Sequence, residues 1–384
     1  MTKKVAVSTF LCVLLIMPLV SSAQTEDQII FLNPKTVVFK GDTLKIADLS
    51  PSQKEEVEAQ KKVVATEAYQ VAVAHLSNGI NRLALSELNK AVALNPVYPE
   101  AYLVRGCLLA DQGQTAKARN DFDRAIELNT TLPGVYLGRA LLSFNAAQWQ
   151  PAIDDLTKEI GNEQRKLDAL AYRSKAYAQI GEFEKAVVDL DSLLRYDADN
   201  WELIAEKGAY LLKANKIDEA KAFIDLAVEK SKNSPKALFQ KALLYYGQGE
   251  REEAIKAFQL TIENDSSHYQ AAYLLGKCYF DNLEFEKAMG AFDKAIAINP
   301  NYAEAYNGRA SVKSKNGDFE GAVQDSDQAI SLAPNMAEAY LNRGNIREML
   351  RDEEGACADW QKAVEMGIEQ ASPYVKENCQ AKKK

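Results

Sequence analysis

The sequence predicts an all-α protein, an α-solenoid of nine helix–turn–helix repeats. Two observations lead to this fold class. The chain repeats with a period of 34 residues from Ala65 to residue 370, and no insertion interrupts the period. Position 20 of each repeat is always alanine, at Ala84, Ala118, Ala152, Ala186, Ala220, Ala254, Ala288, Ala322 and Ala356. A fixed period of this length is typical of proteins in which one supersecondary unit stacks on the next.

Each repeat has two apolar-periodic stretches, which indicate two amphipathic helices, called A and B below. A turn separates them near position 15, where five repeats carry Gly79, Gly113, Gly181, Gly249 or Gly317. Position 8 is always Ala, Gly or Ser, and position 24 is bulky and apolar in every repeat except at Ser326. Small residues at positions 8 and 20 let helices A and B approach closely, and the residue at position 24 fills the space beside their crossing. One such hairpin cannot bury its own apolar face, so stacking is expected.

This pattern resembles the tetratricopeptide repeat over residues 65–370. The likeness is strongest from residue 269 onward, for example in AEAY at 303–306 and AISLAP at 329–334. The resemblance implies a right-handed superhelix of helix pairs. It also implies a concave groove, lined by the A helices, that receives a peptide or a partner surface.

The first 23 residues have the features of a signal peptide. Lys3 and Lys4 precede an apolar run from residue 5 to residue 20, and small residues follow at 21–23. An uncleaved anchor is the alternative, although the run is short for a membrane span. The mature chain is therefore expected to begin near Gln24, to contain no membrane span, and to be periplasmic or extracellular.

Two further segments flank the repeats. Residues 24–64 are expected to form an N-terminal extension with a hairpin at 37–46 and a helix from about residue 51, where Ser50 is a capping residue. Residues 371–384 are expected to form a capping helix and a basic tail, because the end of a solenoid needs a cover.

Arginine at position 7 and aspartate at position 23 occur together in the same five repeats. This co-occurrence predicts an ion pair between helix A and helix B, interpreted as part of the architecture and not as a binding device. The pairs are Arg105 with Asp121, Arg139 with Asp155, Arg173 with Asp189, Arg309 with Asp325, and Arg343 with Asp359.

The distribution of reactive residues argues against an enzyme. Only two histidines are present, His75 and His268, and they lie in different repeats; no nucleophile, phosphate-binding or metal-binding motif occurs. No catalytic residue, metal or cofactor is therefore expected. Cys357 and Cys379 lie on the last B helix and the expected capping helix. They are candidates for a disulfide in an oxidising compartment, the alternative being two buried thiols.

The groove positions of the family, carried onto this chain, give a set of candidate partner-binding residues. They are Phe239, Leu243, Tyr246, Tyr273, Lys277, Phe280, Asn342 and Asn345. The alternative for the aromatic residues is a place in the core between repeats. The net charge of −8, without a basic stripe, argues against nucleic acid as a partner.

The leading interpretation is an exported scaffold or adaptor that holds a protein or peptide of unknown identity and is monomeric by itself. The alternatives are an accessory subunit of a secretion or envelope complex, or a solenoid that binds a cell-wall carbohydrate.

Overall fold

The computed structural model describes residues 30–33, 36–39 and 42–379. The expected signal peptide at 1–23 and the expected basic tail at 380–384 lie outside these residues. Within them, no helix is both long enough and apolar enough to cross a membrane. The chain divides into two compact units, between Tyr196 and Asp197.

The first unit begins with a small antiparallel sheet of three strands in the order β1 (Ile30–Asn33), β2 (Thr36–Phe39) and β3 (Asp42–Lys45). Val37 of β2 is fully buried and packs with Leu49 and Val57. Because Val57 belongs to the helix that follows, the sheet is stabilised by that helix and does not stand alone.

Eight helices make up the rest of the first unit. Helix α1 begins with a capping box: the Ser50 hydroxyl accepts from the Gln53 backbone N–H, and the Gln53 side chain accepts from the Ser50 N–H. It then runs without interruption into the first repeat. The helices are α1 (Pro51–Ser77), α2 (Asn81–Leu94), α3 (Pro99–Asp111), α4 (Thr115–Leu128), α5 (Val135–Asn145), α6 (Trp149–Ile160), α7 (Lys166–Gln179) and α8 (Phe183–Leu194).

The second unit contains repeats 5 to 9 and the helix after them. Consecutive helices pair as A and B, and the last helix packs on the B helix of repeat 9. The predicted α-solenoid of helix–turn–helix repeats is confirmed. The helices are α9 (Trp201–Lys213), α10 (Ile217–Lys230), α11 (Pro235–Gln248), α12 (Arg251–Asn264), α13 (Tyr269–Asp281), α14 (Phe285–Ile298), α15 (Ala303–Lys315), α16 (Phe319–Leu332), α17 (Ala337–Met349), α18 (Glu353–Glu365) and α19 (Ser372–Asn378).

Position 15 is left-handed in all nine repeats, which ends each helix A in the same way. The five glycines have φ between +72° and +84°. The other four repeats keep φ between +55° and +65° without glycine, at Ala147, Asn215, Leu283 and Arg351. A side chain at positive φ carries a steric cost. The packing of the two helices therefore overrides the local preference of the residue at the turn.

Aromatic residues at position 24 fit between glycines of two successive repeats. The ring of Phe292 would lie 2.7 Å from a Cβ added at Gly276 and 2.6 Å from one added at Gly308. Gly276 is position 8 of the same repeat, whereas Gly308 is position 6 of the next. The sequence pattern predicted the first contact and missed the second.

Candidate functional site

A cleft of about 570 Å³ lies in the second unit and is lined mainly by the A helices of repeats 7, 8 and 9, which are α13, α15 and α17. It is called the repeat 7–9 cleft below. Its wall includes four of the eight candidate partner-binding residues, namely Tyr273, Lys277, Phe280 and Asn342. Side chains on rigid helices hold their positions better than side chains on loops.

The three candidates of repeat 6 do not line this cleft. Phe239, Leu243 and Tyr246 are partly buried and pack against the hydrophobic core of the second unit. The Phe239 ring lies 4.4 Å from the ring of His268 and 5.9 Å from that of Phe258, measured between centroids. Packing between repeats therefore occupies these side chains.

Lys277 is held beside two aromatic rings. Its ammonium lies 5.8 Å from the centroid of Tyr246 and 6.0 Å from that of Tyr273, which is within cation–π range. Burial lowers the pKa of Lys277, but its interactions with the two tyrosines and with Asp281 outweigh burial, and the net pKa is raised. Lys277 is therefore charged at neutral pH.

Two asparagines form a bridge between repeats 8 and 9. The Asn342 amide nitrogen donates to the Asn307 side-chain oxygen at 2.9 Å and more weakly to Ser311 Oγ at 3.5 Å. In the part of the chain that the structure describes, Asn307 Nδ2 and Asn342 Oδ1 have no further hydrogen-bond partner. This pair therefore offers one donor and one acceptor to a ligand.

Asn345 lies outside the repeat 7–9 cleft. Its side-chain oxygen accepts a hydrogen bond of 2.9 Å from the indole N–H of Trp360. Trp360 is almost fully buried, so this hydrogen bond satisfies a donor that would otherwise be buried without a partner. The side chain of Asn345 is engaged within the protein.

Two glutamates complete the cleft and were missed by sequence reasoning. Glu304 and Glu338 line it and are exposed. Burial is the main cause of the raised pKa of Tyr273, and both carboxylates raise it further, since a phenolate beside them would be repelled. Each follows the first alanine of an AEAY sequence, at position 2 of its repeat. Position 2 is a groove position of the family, and this was the signal that could have found them.

All five arginine–aspartate pairs are present as two-pronged contacts. Arginine Nε and Nη2 each donate to one aspartate oxygen, over distances of 2.5–2.9 Å. The five aspartates are buried. Paired geometry of this kind fixes the orientation of both side chains.

Each of these arginines also reaches the preceding repeat, a contact that the sequence pattern did not predict. Its Nη1 donates to the residue at position 25 of that repeat. The contacts are Arg105 to Asn89 at 3.0 Å, Arg139 to Asp123 at 2.6 Å, Arg173 to Thr157 at 3.1 Å, Arg309 to Asp293 at 2.7 Å and Arg343 to Asp327 at 2.6 Å. These contacts form an arginine ladder that joins one repeat to the next.

Cys357 and Cys379 form a disulfide with an S–S distance of 2.07 Å. It connects α18 to the end of α19. Beside it the ring of Tyr374 stacks on Trp360, with 5.1 Å between centroids. Among the described residues, no group of three or more His, Cys, Asp or Glu side chains is arranged to hold a metal ion.

Stacked helical hairpins with a cleft on their A helices define a helical-repeat protein. Family models described as tetratricopeptide repeat match residues 99–132, 239–303 and 291–324. The first match coincides with the second repeat of 34 residues. The chain is a tetratricopeptide repeat protein.

Several solved structures are similar to this chain. Yeast Tom70 is 13% identical with a TM-score of 0.51, over 85% of this chain and 92% of that chain. A tetratricopeptide repeat protein from Parabacteroides merdae is 20% identical with a TM-score of 0.45, over 72% and 97%. MamA from Desulfovibrio magneticus is 19% identical with a TM-score of 0.40, over 44% and 96%. The likeness to Tom70 bears on the fold alone. The search of curated proteins gave no match.

Proposed function

We propose that this protein is an exported, non-catalytic scaffold that holds a partner protein or peptide in the repeat 7–9 cleft. The observation that carries the proposal is the composition of that cleft, which combines aromatic walls, an amide pair and charged groups on three successive A helices. Aromatic anchors and a few fixed polar groups in a concave site are where binding energy concentrates.

Export is supported by the signal-like first 23 residues and by the disulfide between Cys357 and Cys379, because disulfides persist in oxidising compartments. Cell fractionation followed by N-terminal sequencing tests it. A mature chain that begins at Gln24 in the periplasm or medium is the expected result. A chain that keeps Met1 and sediments with membranes would instead support the uncleaved anchor.

A site-specific photo-crosslinker tests the binding site. Benzoylphenylalanine replaces Ser311 in the cleft or, as a control, the exposed Glu286 on helix α14. After irradiation in the native host, we expect a defined adduct from position 311 and none from position 286. The same adduct from both positions, or from position 286 alone, would place the partner on another surface. Purification of the adduct at fixed stoichiometry without crosslinking would favour an accessory subunit of a larger complex.

A further inference from the structure

We propose that the repeat 7–9 cleft selects an extended peptide segment that carries lysine or arginine. This inference rests on the proposed function and adds the charge and conformation of the ligand to it. Four groups of observations support it: the charge balance of the cleft, the lack of internal partners for two of its carboxylates, its amide pair and its aromatic walls.

The cleft has an excess of negative charge. Asp281, Glu304 and Glu338 supply three carboxylates, and Lys277 supplies the single ammonium group. That ammonium already interacts with Asp281 and with the rings of Tyr246 and Tyr273. An anionic ligand would therefore meet repulsion, whereas a cationic one would meet carboxylates.

Glu304 and Glu338 differ from many other exposed glutamates of the second unit. Several of those have a lysine three residues away, as in the pair Glu253–Lys256 at 2.8 Å and the pair Glu284–Lys287 at 2.6 Å. In residues 42–379, neither Glu304 nor Glu338 forms a salt bridge. Their charge is therefore not neutralised locally. Unneutralised charge at the edge of a concave site attracts ligands of the opposite sign and discriminates against the same sign.

The neutral groups of the cleft suit the rest of such a segment. Asn307 Nδ2 and Asn342 Oδ1 supply one donor and one acceptor, which match the C=O and N–H that an extended backbone leaves unpaired. Tyr273 and Phe280 provide apolar surface on which the aliphatic stem of a lysine or arginine can lie while its charged end remains near the carboxylates.

A displayed library of random octapeptides tests the proposal with three forms of the full chain: wild type, Glu304→Lys/Glu338→Lys, and the control Glu286→Lys/Glu320→Lys. The control changes net charge equally, on exposed positions of the B helices α14 and α16. Circular dichroism checks that all three fold. We expect wild type and control to enrich lysine and arginine over the starting library. The cleft variant should enrich aspartate and glutamate and bind wild-type-selected peptides about tenfold more weakly or less.

The possible failures are distinguishable. If wild type enriches peptides without a basic bias, or if the cleft variant keeps the wild-type bias, the charge inference is overturned while peptide binding stands. If the control loses the bias as fully as the cleft variant does, overall charge and not this cleft decides, and the inference also falls. If no form enriches any peptide, both the inference and the proposed cleft function are wrong.

Discussion

At the scale of single residues, Glu159 shows how a side chain from one helix caps another. It is fully buried on α6, and its two oxygens accept from the backbone N–H groups of Gly134 at 2.7 Å and Leu137 at 3.0 Å. Gly134 precedes α5 and has no side chain that could cap it. Glu159 therefore satisfies donors that helix ends leave unpaired. Six other repeats have alanine at this position.

Replacing this cap should loosen the start of α5. Glu159→Ala leaves two buried N–H groups without acceptors, at an expected cost of about 2–4 kcal/mol. Hydrogen exchange of residues 134–137 should accelerate strongly, while the exposed control Glu184→Ala should leave it unchanged. Equal exchange in Glu159→Ala and wild type would show that the two hydrogen bonds contribute little.

Glu159 should also make stability depend on pH. Burial raises its pKa, and this outweighs the backbone hydrogen bonds that lower it. A carboxyl group with a folded pKa above its unfolded value contributes stability that is full below the unfolded pKa and is lost as pH rises through the folded pKa. Relative to the neutral Glu159→Gln, the wild-type unfolding free energy should therefore fall from about pH 4 to about pH 7 in urea titrations. A rise over that interval would mean that the hydrogen bonds dominate.

The arginine ladder offers a matched pair of substitutions. Asp189 has Arg173 as its salt-bridge partner, whereas Asp325 contacts both Arg309 and Lys313, the latter at 2.9 Å. Arg173→Met leaves a buried carboxylate unpaired and should cost about 3–5 kcal/mol. Arg309→Met should cost less, because Lys313 remains, as measured by hydrogen exchange of each helix pair. Adding Asp189→Asn to Arg173→Met should restore most of the loss, and no recovery would exclude the unpaired charge as its cause.

At the scale of elements, α19 is short and depends on its neighbours. It has seven residues, too few for an isolated helix to be stable. The Cys357–Cys379 disulfide and the stacking of Tyr374 on Trp360 attach it to α18. The end of the array is thus covered by an element whose order comes from its attachment.

Removing the disulfide should release this cap. Cys357→Ala/Cys379→Ala opens a loop between residues 22 positions apart, worth about 3 kcal/mol in the loop-entropy model. Limited proteolysis should then cut within residues 369–378 much faster than in wild type. The buried Cys278→Ala, which touches no disulfide, is the control. Proteolysis at the wild-type rate would show that packing on Trp360 is sufficient.

The elements also show what the sequence alone can predict. The paired helices could be predicted because each carries its own apolar period, and α1 because Ser50 and Gln53 are a local signal. Strand β1 was missed, since four residues are too few to show alternation. The site was only partly predicted. Asn345 and Tyr246 occupy plausible positions, but their contacts with Trp360 and the core depend on side-chain packing that sequence spacing does not determine.

At the scale of the whole molecule, the contacts described above are short in range along the chain. Each aromatic residue at position 24 and each ladder arginine touches its own repeat and an adjacent one. In such proteins stability is approximately a sum over repeats and the interfaces between neighbours. Damage should therefore remain local.

Two glycines of repeat 7 test this locality. A Cβ at Gly276 would meet the Phe292 ring, so Gly276→Ala should destabilise by about 1–3 kcal/mol. Gly290 lies exposed within α14 with open space around it, and Gly290→Ala should stabilise by about 0.5–1 kcal/mol. Hydrogen exchange should change in repeats 6 to 8 and not in repeats 1 and 2. Faster exchange throughout the chain would mean that unfolding is cooperative over both units.

The arginine ladder also determines which internal deletions the protein should tolerate. Excision of residues 99–132 would place Arg139 opposite Asn89, the same side chain that Arg105 contacts now. The new junction would inherit a contact already present, and the remaining repeats would keep their register. A cut of any length that is not a multiple of 34 would instead face arginine with an unrelated residue. The protein should therefore tolerate changes in length only in whole repeats, as a modular protein that grows or shrinks by complete units.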